Sequence, residues 1–546
     1  MTAAKKDGFM VQAGILAAAG ILSRIIGLLY NSPMTAIIGD EGNGYYEFAY
    51  RAYTIVLLIS TYSIPAAISK VIASRLAVGE YRNAHRIFKG AVYYALIVGG
   101  VAALLVFIFA DYLVNLTGAA TVLRFFAPTI FLSGILGVLR GYFQAHRTMA
   151  QTSISQILEQ ITNALVSILL AIWFVGMVPD LETTRRSIYG AAGGAIGTGF
   201  GVVMGLLFMW AIYLLNKKTI AARIEKDRGH EDLSYQMIFK MILLVVTPFI
   251  LSTFVYNINA YINQTLFIFV GRLRELSEVE MATLNSAIGK ATKIATIPIA
   301  IAAALSTAII PGIAGDFTLN RLDECREKVA KAVRGAMFVA IPAAVGIAVL
   351  SRPMMLFLYP QEATLDLSVN LLMIMSLGVI FFSLATLSAA VLQGTGKINS
   401  PVINASAALG VQTVVLAALL VYTEIGVYAM AMTTVLFAIL TCLMNGYSVF
   451  HHLEYSHEWQ RTFIKPLLIA IVMGLVTYGS YSGMYALTSI NLVALSSAVI
   501  TGVIVYFVLA VKWQVLMATE LRWLKRGKLL TGWVNELEAK EKQGNQ

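Results

Sequence analysis

About fourteen long apolar runs, separated by short polar connections, leave this chain of 546 residues few ways to fold. Runs such as Val11 to Leu29, Ala91 to Ala110, Val202 to Leu215, Gly335 to Leu350 and Leu492 to Val511 reach or approach the roughly 20 residues that carry an α-helix across a bilayer. Inside lipid every backbone N–H and C=O must find a partner within the chain, so only helices and closed barrels can span. The ~10-residue alternating segments of a membrane barrel are missing. With 58% hydrophobic and 13% charged residues and a mean hydropathy of +0.76, the sequence predicts an all-α polytopic membrane protein. Its spans fall near 10–30, 48–72, 88–110, 120–143, 152–176, 187–215, 236–260, 281–313, 330–352, 366–394, 400–422, 425–450, 463–486 and 489–513.

A net charge of +11 raises the question of nucleic acid, but the basic residues gather in alternate connections. They recur near Lys5, Arg75 to Lys89, Arg140 to Arg147, Lys217 to Arg228, Arg321 to Arg334, Lys397, Arg461 to Lys465 and from Lys512 onward. The intervening loops carry acids: Asp40 and Glu41, Asp111, Asp180 and Glu182, Glu275 to Glu280, Glu362 and Asp366, and Glu424. This is the positive-inside pattern, not a nucleic-acid surface, and with an even number of spans it places both termini in the cytoplasm. Lys5, Lys6 and the apolar run behind them mimic a signal peptide, but Arg24 interrupts the run, which is better taken as the first span. Cys325 and Cys442 lie far apart in sequence and imply neither a disulfide framework nor a metal site.

The longest hydrophilic connection, Asn216 to Ser234, divides the chain into an N-lobe (1–215), a cytoplasmic linker (216–235) and a C-lobe (236–450), followed by two further spans (463–513) and a tail (514–546). A weak repeat supports the division. Ile64-Pro65-Ala66-Ala67-Ile68-Ser69 resembles Ile301-Ala302-Ala303-Ala304-Leu305-Ser306, and Gly141-Tyr142-Phe143-Gln144 is echoed by Ala390-Val391-Leu392-Gln393 in the same order. Six spans separate equivalent points, so the halves share one orientation, a parallel repeat of the kind that places a transport site between halves. Trp513, Trp523 and Trp533 among Lys525, Arg526 and Lys528 suit a helix in the membrane interface.

The candidate functional residues are charges within the spans. Arg24 lies about 14 residues into the first span, where a charge costs at least ~2.5 kcal/mol, and its guanidinium suits phosphate because a planar fork donates two parallel hydrogen bonds. Glu159, among Gln156, Gln160 and Asn163, is either an ion or proton site or the counter-charge that holds Arg24. Arg51, beside Tyr50 and Tyr53 near the outer end of the second span, either anchors that helix at the headgroups or faces the cavity. Lys290 and Lys293 stand three residues apart on one face of the eighth span, where exposure to lipid would be costly. Asn257, Asn259 and Asn263 read as interfacial, and His451, His452 and His457 as a solvated loop. Pro65, Pro248, Pro298 and Pro311 are candidate kinks. Walker-type loops, H-E-x-x-H, metal-spaced cysteines and Asp-x-Asp are all missing from the sequence, which argues against an enzyme.

Five segments carry a family resemblance: Ser23-Arg24-Ile25-Ile26-Gly27, Gly39-Asp40-Glu41-Gly42-Asn43-Gly44-Tyr45-Tyr46, Ile64 to Lys70, Gly289-Lys290-Ala291 and Gln393-Gly394. Over essentially its whole length the chain resembles bacterial polysaccharide-lipid flippases of the multidrug and oligosaccharidyl-lipid exporter superfamily, in the lipid II flippase and stage V sporulation protein B branch. The resemblance implies two six-helix lobes around a cationic cavity in the cytoplasmic membrane, with alternating access. It also implies that Arg24, Arg51 and Lys290 meet the diphosphate of a polyprenyl-linked glycan, and that the last two spans form a groove for its tail; Lys293, on the same face as Lys290, is a further candidate for that contact. Lys290 stands where other members use arginine, and the seventh span lacks the acid of the sodium sites in some relatives. No cofactor is expected; membrane potential is the expected driving force, the coupling ion is open, and cell-wall synthesis proteins are candidate partners beside membrane lipids. The rivals are a flippase for another polyprenyl-linked glycan, a cation-coupled drug exporter, and a membrane glycosyltransferase with Asp40 or Glu41 as an outward catalytic acid.

Overall fold

The computed structural model describes residues 3–58, 64–146, 148–178, 182–225, 227, 232–456 and 458–515, and the interfacial helix expected around Trp523 and Trp533 lies outside them, as does His457. The described elements are helical: α1 (Ala3–Leu57), α2 (Ile64–Ala77), α3 (Tyr81–Val114), α4 (Thr117–Ala145), α5 (Met149–Met177), α6 (Thr183–Glu225), α7 (Tyr235–Leu273) and α8 (Glu278–Thr318). They continue through α9 (Leu322–Val349), α10 (Ser351–Leu358), α11 (Glu362–Gly394), α12 (Asn399–Tyr422), α13 (Val427–Leu453), α14 (Lys465–Thr488) and α15 (Asn491–Lys512).

Among the described residues, 12 helices are long and apolar enough to cross a membrane, against the fourteen spans expected. The difference has local causes. α1 joins the first expected span to the upper part of the second across a kink at Gly39 (φ 71°, ψ 177°), a backbone state that glycine adopts without a Cβ clash. α7 (Tyr235–Leu273) is the expected seventh span. The second limb of α1 starts at Asp40, not near residue 48, so Asp40 and Glu41 belong to a helix and not to an outer loop. The polar, glycine-rich composition of Gly39 to Gly44 imitates a loop, yet Asn43 and Glu47 just beyond the kink are buried.

The chain forms two compact units. The first comprises Met1–Ile297, Gln361–Thr364 and Val402–Phe437. Its core gathers Ile68 and Ile72 of α2, Ile87 and Phe88 of α3, Leu139 and Tyr142 of α4, Met209 of α6 and Ile238 and Ile242 of α7. A ridge of Gly193, Gly197 and Gly201 lets α6 lie directly on α5: a Cβ at Gly201 would sit 2.6 Å from the Glu159 carbonyl oxygen. The second unit comprises Pro298–Pro360, Leu365–Pro401 and Ala438–Gln546. There α14 and α15 pack on each other and on α9, with Asn491 donating to the Pro353 carbonyl (3.0 Å).

The repeat in the sequence has physical counterparts inside each unit. A Cβ at Gly141 on α4 would meet the Pro65 carbonyl at 2.8 Å, and one at Gly394 on α11, just past the second recurring segment, would meet the Ile310 carbonyl at 3.5 Å. A second correspondence was not foreseen. At the start of α3, Arg86 donates through Nε to the Leu233 carbonyl (3.1 Å) and through a terminal nitrogen to Asp232 (2.9 Å). At the start of α9, Arg326 donates through Nε to the Leu453 carbonyl (2.7 Å) and through a terminal nitrogen to Glu454 (3.1 Å). Each arginine clasps a leucine carbonyl and a neighbouring carboxylate in the loop that follows six spans of its half.

Candidate functional site

The first unit contains a seam where the second limb of α1 meets α8. Ser277 and Glu280 cap α8 reciprocally: the Glu280 N–H donates to Ser277 Oγ (3.2 Å) and the Ser277 N–H to Glu280 Oε2 (2.9 Å). From that start, Lys290 and Lys293 emerge on one helical face. Opposite them on α1 stand Asp40 and Glu47, seven residues and therefore about two turns apart. Lys290 pairs with Asp40 and Lys293 with Glu47.

Lys290 is 1% exposed and its ammonium is saturated, since it also donates to Thr364 Oγ1 (2.9 Å) and Gln361 Oε1 (3.3 Å). Asp40 in turn accepts from Thr364 Oγ1 (2.6 Å) and Ser286 Oγ (3.1 Å), and Asn43 Nδ2 donates to Ser286 Oγ (2.9 Å). The helices approach closely because of Gly44: a Cβ there would lie 1.8 Å from the Ala282 carbonyl oxygen. An isolated ammonium or carboxylate buried like this would be strongly unfavourable, so each lysine is tied to its acid. The seam is a two-point ionic latch, shielded at Lys290 and more open at Lys293, whose side chain is 26% exposed.

Lys290 and Lys293, expected to look into an open aqueous cavity, are thus held by acids of α1 that the sequence reading did not assign to them. The missed signal was the seven-residue spacing of Asp40 and Glu47 opposite two lysines one turn apart. Arg51 joins this group because its charge bears on Glu47, while its buried Nε has no hydrogen-bond partner among the described residues. Since its helix starts at Asp40, Arg51 lies about 16 Å along the helix and not near its outer end.

Glu159 is not the counter-charge of Arg24. Its Oε2 accepts from Arg140 (2.7 Å), which also donates to Ser155 Oγ (2.8 Å), and the two side chains are 21% and 13% exposed. Arg140, expected in a basic loop, is on α4, one of its turns inside the helix end. Arg24 is exposed on the first limb of α1 and has no ion-pair partner among the described residues. Two of the three asparagines of α7 are interior and not interfacial: Asn263 donates to Thr434 Oγ1 (3.1 Å) and accepts from Gln412 Nε2 (2.6 Å), and Asn259 is buried, whereas Asn257 is exposed. Cys325 and Cys442 are free and buried.

The family model described as "Polysaccharide biosynthesis protein" matches residues 10–315, and the model "MatE" matches 248–419. The chain is similar to the lipid II flippase MurJ of Bacillus subtilis, 27% identical over 393 residues, covering 69% of this chain and 71% of the relative. It is also similar to stage V sporulation protein B of Bacillus subtilis, 24% identical over 533 residues, 95% of this chain and 98% of the relative. Among solved structures, "Lipid II flippase MurJ, inward closed conformation" superposes with a TM-score of 0.67 at 16% identity, over 91% of this chain and 98% of that one. That likeness establishes a shared fold.

Proposed function

The chain belongs to the polysaccharide biosynthesis protein family, and from that premise we propose that it carries an undecaprenyl-diphosphate-linked cell-wall precursor, lipid II, from the inner to the outer leaflet of the bacterial cytoplasmic membrane. The observation that carries this reading is Arg24, an exposed guanidinium within a membrane-spanning helix. Such a charge needs an anion, and a diphosphate headgroup supplies one.

The ionic latch gives the cycle a physical step. With Asp40 on Lys290 and Glu47 on Lys293, the second limb of α1 and α8 are held together. A diphosphate arriving at Arg24 and Arg51 competes with Glu47 for positive charge, loosens the more exposed pair first, and lets the two helices part. If the diphosphate bears about two negative charges, outward movement down a potential of ~100 mV, inside negative, gains roughly 4.6 kcal/mol, so membrane potential can serve as the driving force. The lipid tail stays in the bilayer along α14 and α15.

The test is outward exposure of radiolabelled lipid II in cells depleted of other flippases, with the intact chain and its Arg24→Ala form at equal expression. Exposure with the first and not the second is the expected result. No exposure from a well-expressed intact chain overturns lipid II as substrate and favours another polyprenyl-linked glycan, a reading in keeping with the family's description. Arg24, a cation with no ion-pair partner among the described residues, weighs against a cation-coupled drug exporter, whose site calls for acids to meet a cationic drug.

A further inference from the structure

We infer that Tyr50 is a stacking platform for a sugar ring of the substrate headgroup, an inference that rests on the glycolipid reading above. Tyr50 lies ten residues after Asp40 on the second limb of α1, about 15 Å along the helix and so about half a bilayer's thickness from the start of that limb. Tyrosines that anchor helices sit at the membrane interfaces, so anchoring does not account for one at this depth. The residue is 40% exposed.

What lies behind its ring is a built support. The Tyr46 ring is stacked on it (centroids 5.9 Å apart, planes at 11°), with Phe126 of α4 edge-on at 6.0 Å and Tyr53 at 5.8 Å. Tyr53 stacks on Phe126 at 4.6 Å, closing a four-ring cluster. Tyr46 is itself fixed, buried and in hydrogen-bond contact with Thr198 through its hydroxyl (3.3 Å). The exposed ring is therefore backed by rings that cannot move away.

The neighbours complete a carbohydrate-type arrangement. Arg51 is the next residue, and Glu47, which pairs with Lys293 of α8, lies one turn before Tyr50 on the same limb. A pyranose presents an apolar C–H face and a rim of hydroxyls. The C–H face packs on the electron-rich face of tyrosine. Arg51, partly exposed beside the ring, suits the rim as a planar donor. A lipid acyl chain would gain nothing from those charges, so the occupant that fits is a sugar. Arg51, one of the cations that meet the diphosphate, and the ring that holds the first sugars would then be consecutive on one helix.

The test compares binding of lipid II and of undecaprenyl diphosphate, which lacks sugar, to the purified full chain in lipid nanodiscs. Tyr50→Ala and Tyr50→Leu are expected to weaken lipid II binding roughly five- to tenfold and to leave undecaprenyl diphosphate within about twofold. Tyr50→Phe and Tyr50→Trp, which keep a ring face, are expected to stay within about twofold for both lipids and serve as folding controls. Equal losses for the two lipids, or no loss for either, would overturn the sugar platform while leaving the flippase reading intact. Failure of the unmodified chain to bind either lipid would remove the glycolipid reading and this inference together.

Discussion

Lys290 and Asp40 form a buried ion pair that ties the middle of α8 to the first turn of the second limb of α1. Three neutral oxygens complete the shell, from Thr364 and Gln361 on the ammonium side and Ser286 on the carboxylate side. Such a pair stabilises the closed seam chiefly because either charge alone would be unpaired and out of water.

Lys290→Ala is expected to destabilise the chain by about 3–5 kcal/mol, because Asp40 is left as an uncompensated buried charge. The double neutral replacement Asp40→Asn with Lys290→Met should recover most of that loss while abolishing the ionic latch. Thermal unfolding in detergent checks stability, and lipid II exposure checks transport. A double variant no more stable than Lys290→Ala would refute the pairing.

Gly44→Ala should force the seam apart, since the added Cβ lies 1.8 Å from a backbone oxygen that has no freedom to yield. In a background without Cys325 and Cys442, Asn43→Cys combined with Ser286→Cys should cross-link readily, as the two native side chains are 2.9 Å apart. Adding Gly44→Ala should cut the cross-linking yield several-fold. Unchanged yield would mean that the glycine is not what brings the helices together.

Arg24→Ala should lower lipid II exposure more than tenfold with little change in stability, because this guanidinium supports no ion pair among the described residues. Arg140→Ala should do the reverse in its first effect: loss of the bonds to Glu159 and Ser155 costs about 1.5–3 kcal/mol of stability. Glu159→Gln should resemble Arg140→Ala and not Arg24→Ala. Melting curves set beside exposure assays separate the two classes.

The paired clasps should act locally and independently. Arg86→Ala is expected to raise amide hydrogen exchange around Leu233, and Arg326→Ala around Leu453, each without altering the other loop. Both pairs are partly exposed, so the global cost should stay near 1 kcal/mol or below and shrink further in high salt.

At the end of α4, His146 lines a cavity of about 20 Å³ together with His85, Tyr81, Tyr142 and Arg223. Burial holds its imidazole below the usual histidine range, assisted by the Arg223 charge and opposed in part by the Tyr142 carbonyl. The folded chain therefore refuses a proton that the unfolded chain accepts near pH ~6.5. His146 contributes stability that is fully present above that pH and is lost as the pH falls toward the depressed folded value. Melting temperatures taken at about pH 7.5 and about pH 5.5 should fall less on acidification for His146→Gln than for the unmodified chain.

How far the sequence reaches can be judged from single residues. Arg24 stands out in the sequence as an expensive charge in an apolar run, because transfer cost is a one-dimensional argument. The all-helical membrane fold was legible for the same reason: the length and apolarity of a run decide whether it can cross lipid, whatever it packs against. The start of the second span could not be placed, since Gly39 to Gly44 has the composition of a loop and becomes helix only where α8 covers it. Partners were likewise beyond reach: nothing local tells Lys290 to choose Asp40, 250 positions away, or gives Glu159 to Arg140 in place of Arg24. Periodicity and transfer cost are properties of one segment and the solvent around it, so the sequence by itself determined the helices and their charges. Ion pairing depends on which helices lie side by side and how closely, and only the tertiary structure decided that, through Gly44 and the α1–α8 crossing it permits.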